Sequence, residues 1–220
     1  MRKQQNVYYF SVEGDTEKWY LQWLMQIINA DERSRFLVKF NIKIEKDPLS
    51  FVKRMAIISK TEITHVFDYE GNNEKDRKVF TNVLDKMCKA EKQGKNIIYN
   101  LGYSNLTFEL WILLHRANCN NYISNKVHYL KFINQYFNKK FIDLDGYKTE
   151  DNFKKLLTEL SLNDVIQAIS RAKNIEKLRA ETDEKKQYGR YKYYETNPHV
   201  SLWMQIEKIL KDVGIINKSL

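Results

Sequence analysis

Three separated stretches of the chain carry acids that could do chemistry. In "HVFDYEGN", Asp68 and Glu70 stand two residues apart at the end of an apolar run. If that run is a strand, its side chains alternate and both carboxylates point to one side. Two like charges at such range repel by a few kcal/mol at an intermediate effective dielectric (about 20). Either a solvated turn or a bound cation would relieve that. Asp-Tyr-Glu-Gly-Asn-Asn is also good loop chemistry, so both readings stand on the spacing alone. "YYFSVEGDTE" adds Glu13 just after another apolar run, followed by Gly14 and Glu17. If the two strands are neighbours, Glu13, Asp68 and Glu70 share one rim. Three carboxylates at a rim suit Mg²⁺ or Mn²⁺, hard cations that take oxygen ligands. Gly14 would let the turn bend tightly or let a backbone N–H approach a phosphate. The helix start at 15–17 would add the positive end of a helix dipole. The plain alternative for this stretch is an acidic helix N-terminus.

The third stretch is "YSNLTFELWILLH". Ser104 or Asn105 can cap a helix. Phe108, Trp111, Ile112 and His115 share a helical face. Glu109 lies in an otherwise apolar run, which is costly if buried alone, so it should face water, a cation or a basic partner. His115 reads equally as a satisfied histidine at a helix end. Cations for a polyanion are available at Lys131, Lys148, Arg190 and Lys192. In "QYGRYKYY" tyrosines interleave with Arg190 and Lys192, which could stack bases while holding phosphates. The competing reading is a strand or loop whose tyrosines pack on the body.

The elements that must position these groups follow from periodicity. Runs 7–12, 36–45, 63–69 and 96–102 read as strands, and 16–29, 48–59 and 75–93 as helices. Asp15 is the expected N-cap of the first helix, and Asp47-Pro48 is an N-cap followed by proline at the first helical position. The order β-α-β-α-β-α-β implies a mainly parallel sheet, whose functional groups gather at strand carboxyl ends. After residue 105 the pattern turns helical: 106–117, 126–138, 150–159, 163–180 and 199–213. The expected division is an α/β core over 1–105 and a helical region over 106–220 packed on it.

Composition limits the function classes. The 220 residues are 43% hydrophobic and 30% charged, as in a globular chain able to bury a core. Cys88 and Cys119 are the only cysteines, with no CxxC, which argues against zinc and fits a reducing cytosol. No apolar segment is long enough to span a membrane. The net charge of +9 favours a polyanionic partner, most often nucleic acid. No Walker-type glycine-lysine motif occurs, so any ATP hydrolysis would come from a partner.

Together the three stretches resemble the RloB/AbiLii-like family of phage-defence proteins, which carry a Toprim domain. The family pattern is a strand ending in EG with TE shortly after, an (F)DxD strand, and SNPxFExWxLLH. The matching residues are Glu13-Gly14-Asp15-Thr16-Glu17, Phe67-Asp68-Tyr69-Glu70, and Ser104-Asn105-Leu106-Thr107-Phe108-Glu109-Leu110-Trp111 through His115. "GYKTEDNF" and "NPHVSLW" resemble later family blocks, and the first of them contains Lys148. Glu70 replaces the second aspartate and Leu106 replaces a proline. The resemblance implies a Toprim-like, Rossmann-like α/β fold and a Mg²⁺-dependent nuclease acting on DNA or RNA in abortive infection. It implies Glu13 as general acid/base and Asp68 and Glu70 as metal ligands. It also implies a partner ABC-type ATPase, which leaves a non-catalytic nucleic-acid-binding or adaptor module as the alternative.

Overall fold

The computed structural model describes residues 3–57 and 59–217. Strands β1 (Gln5–Val12), β2 (Leu37–Ile44), β3 (Thr61–Tyr69) and β4 (Ile97–Asn105) form one sheet in the order β2-β1-β3-β4. All three pairings are parallel. The crossovers are α1 (Asp15–Ala30), α2 (Pro48–Arg54) and α3 (Glu74–Glu91). This is the α/β fold with flanking helices that the alternating pattern implies. Asp47 caps α2, accepting from the Ser50 N–H at 3.0 Å, and Asn73 caps α3, accepting from the Asp76 N–H at 2.9 Å. The second helix ends at Arg54, earlier than the pattern to 59 implies; position 58 lies outside the described residues.

Each sheet face has its own apolar layer. On one face, α1 packs over Phe10, Val12, Val38, Phe40 and Val66. The helices of the second half complete that layer: α4 (Glu109–Leu114), α5 (Val127–Tyr136), α6 (Leu144–Tyr147), α7 (Glu150–Leu157) and α8 (Leu162–Thr182). The other face carries Ile63, Phe67, Tyr69, Tyr99 and Tyr103 under α2 and α3. A hairpin of β5 (Lys186–Tyr188) and β6 (Tyr191–Tyr193) lies there too, burying Tyr191 and Tyr193. Helix α9 (Leu202–Asp212) closes the first layer. The helix expected over 163–180 is α8, which runs to Thr182, and the hairpin follows it. Among the described residues, no helix is long and apolar enough to cross a membrane.

The sheet has one topological switch. From β1 the chain crosses to β2 on one side, and β3 and β4 then build on the other. In open parallel sheets such a switch opens a crevice beyond the strand carboxyl ends. Here that crevice lies between β1 and β3.

Candidate active site

Glu13 follows the last residue of β1, and Asp68 lies near the end of β3, so the two flank the switch point. The strands pair in register through Val12 and Val66. Glu13 Oε2 accepts a hydrogen bond from the Asp68 backbone N–H at 3.1 Å. Asp68 follows the parity of Val66, so its side chain projects to the α1 face, and Tyr69 packs on the opposite one. Helix α1 begins there, with Gly14 as N-cap and Glu17 buried in the first turn. Gly14 is extended, so its value is clearance. A Cβ at this position would lie 3.2 Å from Glu17 Oε2. Thr16 Oγ1 donates to Glu17 Oε2 at 3.2 Å.

Glu109, the first residue of α4, is fully buried. Thr107 Oγ1 donates to its Oε2, and the Lys148 ammonium lies 3.0 Å from its Oε1. Lys148 stands at the C-terminal cap of α6, half-buried, with its charge among Glu109, Asp68 and Glu17. The carboxylates interact strongly. Burial raises the Asp68 pKa well above its usual range, and Glu17, Glu109 and Glu13 raise it further. Glu17 is pushed up to about 7 by burial and by Glu109 and Glu13, against the pull of Lys148. Glu13 is raised by burial, with Glu70 adding to the effect and the Asp68 N–H and Lys46 opposing it. Burial pulls Lys148 down, but Glu109, Asp68 and Glu17 outweigh it and the net shift is upward.

Four carboxylates thus face one ammonium, with Lys46 beyond Glu13. That charge and donor type fit a hard divalent cation. As the side chains stand, no three Asp, Glu, His or Cys residues among those described converge into a ready metal-holding group. The fit lies in charge and chemistry, not in a preformed ligand shell.

The remaining sequence-derived residues fall in several places. Glu70 lies just past the end of β3, exposed, with Lys126 3.7 Å away, so strand alternation no longer governs it. Ser104 pairs with Asp68 in the β3–β4 register, and its buried Oγ has no hydrogen-bond partner among the described residues. Asn105 ends β4 and ties its amide to the Tyr194 and Thr196 carbonyls. His115 is buried in the core: its Nδ1 donates to the Trp111 carbonyl and its Nε2 accepts from Tyr20 O–H. Burial lowers its pKa to about 4, so it stays neutral. Lys131 is exposed on α5. Arg190 and Lys192 belong to the hairpin on the sheet face opposite Asp68, and Arg190 pairs with Glu91 at 2.5 Å.

Two residues emerge only in three dimensions. Tyr129 on α5 and Tyr147 on α6 are fully buried, and neither hydroxyl has a hydrogen-bond partner among the described residues. Both feel the Glu109 charge. A phenol leaves its hydroxyl unpaired in a core only at a cost. Tyr147 adjoins Lys148 in "GYKTEDNF", a local hint; nothing in the sequence around Tyr129 marks it.

The comparisons with known proteins point to one family. The model of a family described as "RloB-like protein" matches residues 8–209. No curated protein and no solved structure matches the chain.

Proposed function

The chain belongs to the RloB-like protein family, and on that premise we propose that it is a divalent-metal-dependent nuclease of anti-phage defence. One observation carries this reading: Glu13, Glu17, Asp68 and Glu109 gather at the β1–β3 switch point with, among the described residues, a single half-buried lysine between them. Such an excess of buried acid is costly unless protonated or neutralised by a cation. Asp68 would hold Mg²⁺ or Mn²⁺, with Glu17 and Glu109 behind it, Glu13 beside it and Glu70 at the outer lip. When bound, such an ion neutralises non-bridging phosphate oxygens and lowers the pKa of a water. Glu13 is the group to carry the proton, since it is half-buried with a raised pKa and is held by the Asp68 N–H. Lys148 holds Glu109 and leaves Asp68 and Glu13 free to face substrate. The Tyr129 and Tyr147 hydroxyls are unspent donors for an oxygen that enters the site.

The competing reading is a non-catalytic nucleic-acid-binding module docked on an ABC-type ATPase. The missing preformed ligand shell among the described residues favours it. A cleavage panel separates the two, using plasmid, single-stranded DNA and total tRNA, each with Mg²⁺, Mn²⁺ or EDTA. The nuclease reading expects metal-dependent cutting of at least one substrate, lost in Glu13→Gln and Asp68→Asn while circular dichroism is unchanged. Full activity in either variant, or no cutting under any condition with the ATPase partner supplied, would contradict it.

A further inference from the structure

A second cavity opens beside the acidic cluster, at the carboxyl ends of β3 and β4. It encloses about 190 Å³ and is lined mainly by polar side chains. Tyr69 and Glu70, which directly follow Asp68 at the end of β3, line it, so the cavity and the proposed catalytic edge adjoin. Inside, Asn105 is 1% exposed. Its two amide hydrogens go to the Tyr194 and Thr196 carbonyls at 3.1 and 2.9 Å. Those bonds fix the amide orientation and leave Oδ1 as a buried acceptor with no donor among the described residues. Glu195 adds another carboxylate, which pairs with Arg77 at 3.3 Å as Glu70 does with Lys126 at 3.7 Å, and Tyr122 presents a ring that is 61% exposed at the mouth. The cavity is smaller than the roughly 300–1,000 Å³ that holds a drug-sized ligand. It is rich in acceptors and poor in free cations, so it disfavours a phosphate. It calls for a flat, donor-bearing group with a face for Tyr122.

We propose that this cavity is a nucleobase pocket selecting guanine in an unpaired strand, placing the adjoining phosphate at Glu13 and Asp68. Guanine carries two neighbouring donors, N1–H and the N2 amine, on its Watson–Crick edge. Adenine and cytosine offer only the amino group there, and uracil a single N–H between two carbonyls that carboxylates repel. Side chains read unstacked bases by stacking an aromatic ring and pairing the Watson–Crick edge. This deepens the nuclease reading and rests on it for the pocket's purpose, but binding can be measured without cleavage.

The test is titration of the full chain in EDTA with guanosine, inosine, adenosine and uridine 5′-monophosphates, followed by ligand-observed NMR. The expected result is guanosine monophosphate at least about tenfold tighter than the inosine and uridine forms, because a site built for hydrogen bonding rejects an analogue lacking the donor. Tyr122→Ala should weaken it by about tenfold, and Glu195→Gln should narrow the preference over inosine. Equal binding of all four nucleotides, or no effect of Tyr122→Ala, would overturn the proposal. Mapping cut sites on a mixed RNA then separates the two ideas. Guanine-selective binding with no cleavage of any polynucleotide removes the nuclease reading and keeps the pocket. Cleavage with no base preference in either assay does the reverse.

Discussion

Glu17 and Lys148 bear most directly on the site's electrostatics. The folded Glu17 pKa is about 7, against an ordinary value of 4.5. Between those values the folded chain binds a proton that the unfolded chain does not. Its contribution is full at low pH and is lost as pH rises through about 7. Glu17→Gln removes that term. In metal-free urea unfolding, the variant should gain about 2–3 kcal/mol over the parent between pH 4.5 and 8. Parallel pH profiles would refute the buried-acid description. Lys148→Met strands the buried Glu109 carboxylate beside the Thr107 hydroxyl and should cost about 1–3 kcal/mol. Adding Glu109→Gln should recover most of that loss, and strict additivity in the double-mutant cycle would deny the pairing. Asp68 and Glu13 were legible in the sequence because strand ends are readable from periodicity. Lys148 stood out only as a basic candidate for phosphate, because its distance from Glu109 is set by how α5 packs on both α4 and α6.

Among the elements, caps and crossovers follow local rules and can be tested by them. Asn73→Ala should cost about 1 kcal/mol by urea unfolding, since its side chain caps α3. An unchanged midpoint would mean that the cap is not formed in solution. Local reading served the first three strands and two of their three helices well; α2 stops at Arg54, short of the expected 59. It failed where distant segments decide. Strand β4 continues to Asn105, beyond its expected end at 102, because Ser104 bridges Val200 and Asn105 N–H donates to the His199 carbonyl at 2.8 Å. The β5–β6 stretch reads in the sequence as strand or loop without deciding between them, because its two strands are three residues each. It is held by Tyr191 and Tyr193 packing beside Phe80 and Tyr103. Glu70 illustrates the same limit, since β3 stops at Tyr69 and alternation stops with it.

Over the whole molecule, a net charge of +9 coexists with a concentrated acidic crevice. On the proposed nuclease reading, the cations would recruit a polyanion broadly, and the crevice would need a divalent ion before a phosphate could approach it. Polynucleotide binding by Glu13→Gln should therefore weaken at least about tenfold from about 50 to about 200 mM salt. A flat response would indicate a small substrate instead. The central claim is that the switch-point carboxylates bind a divalent cation. Calorimetric titration of the metal-free chain with Mn²⁺ near pH 7.5 tests it most directly, run in two buffers of different ionisation enthalpy. The account predicts saturable binding with proton release, because Glu17 and Asp68 hold protons above their usual range. It also predicts loss of that binding in Asp68→Asn. Absence of saturable binding in the parent chain, or undiminished binding in the variant, would contradict it.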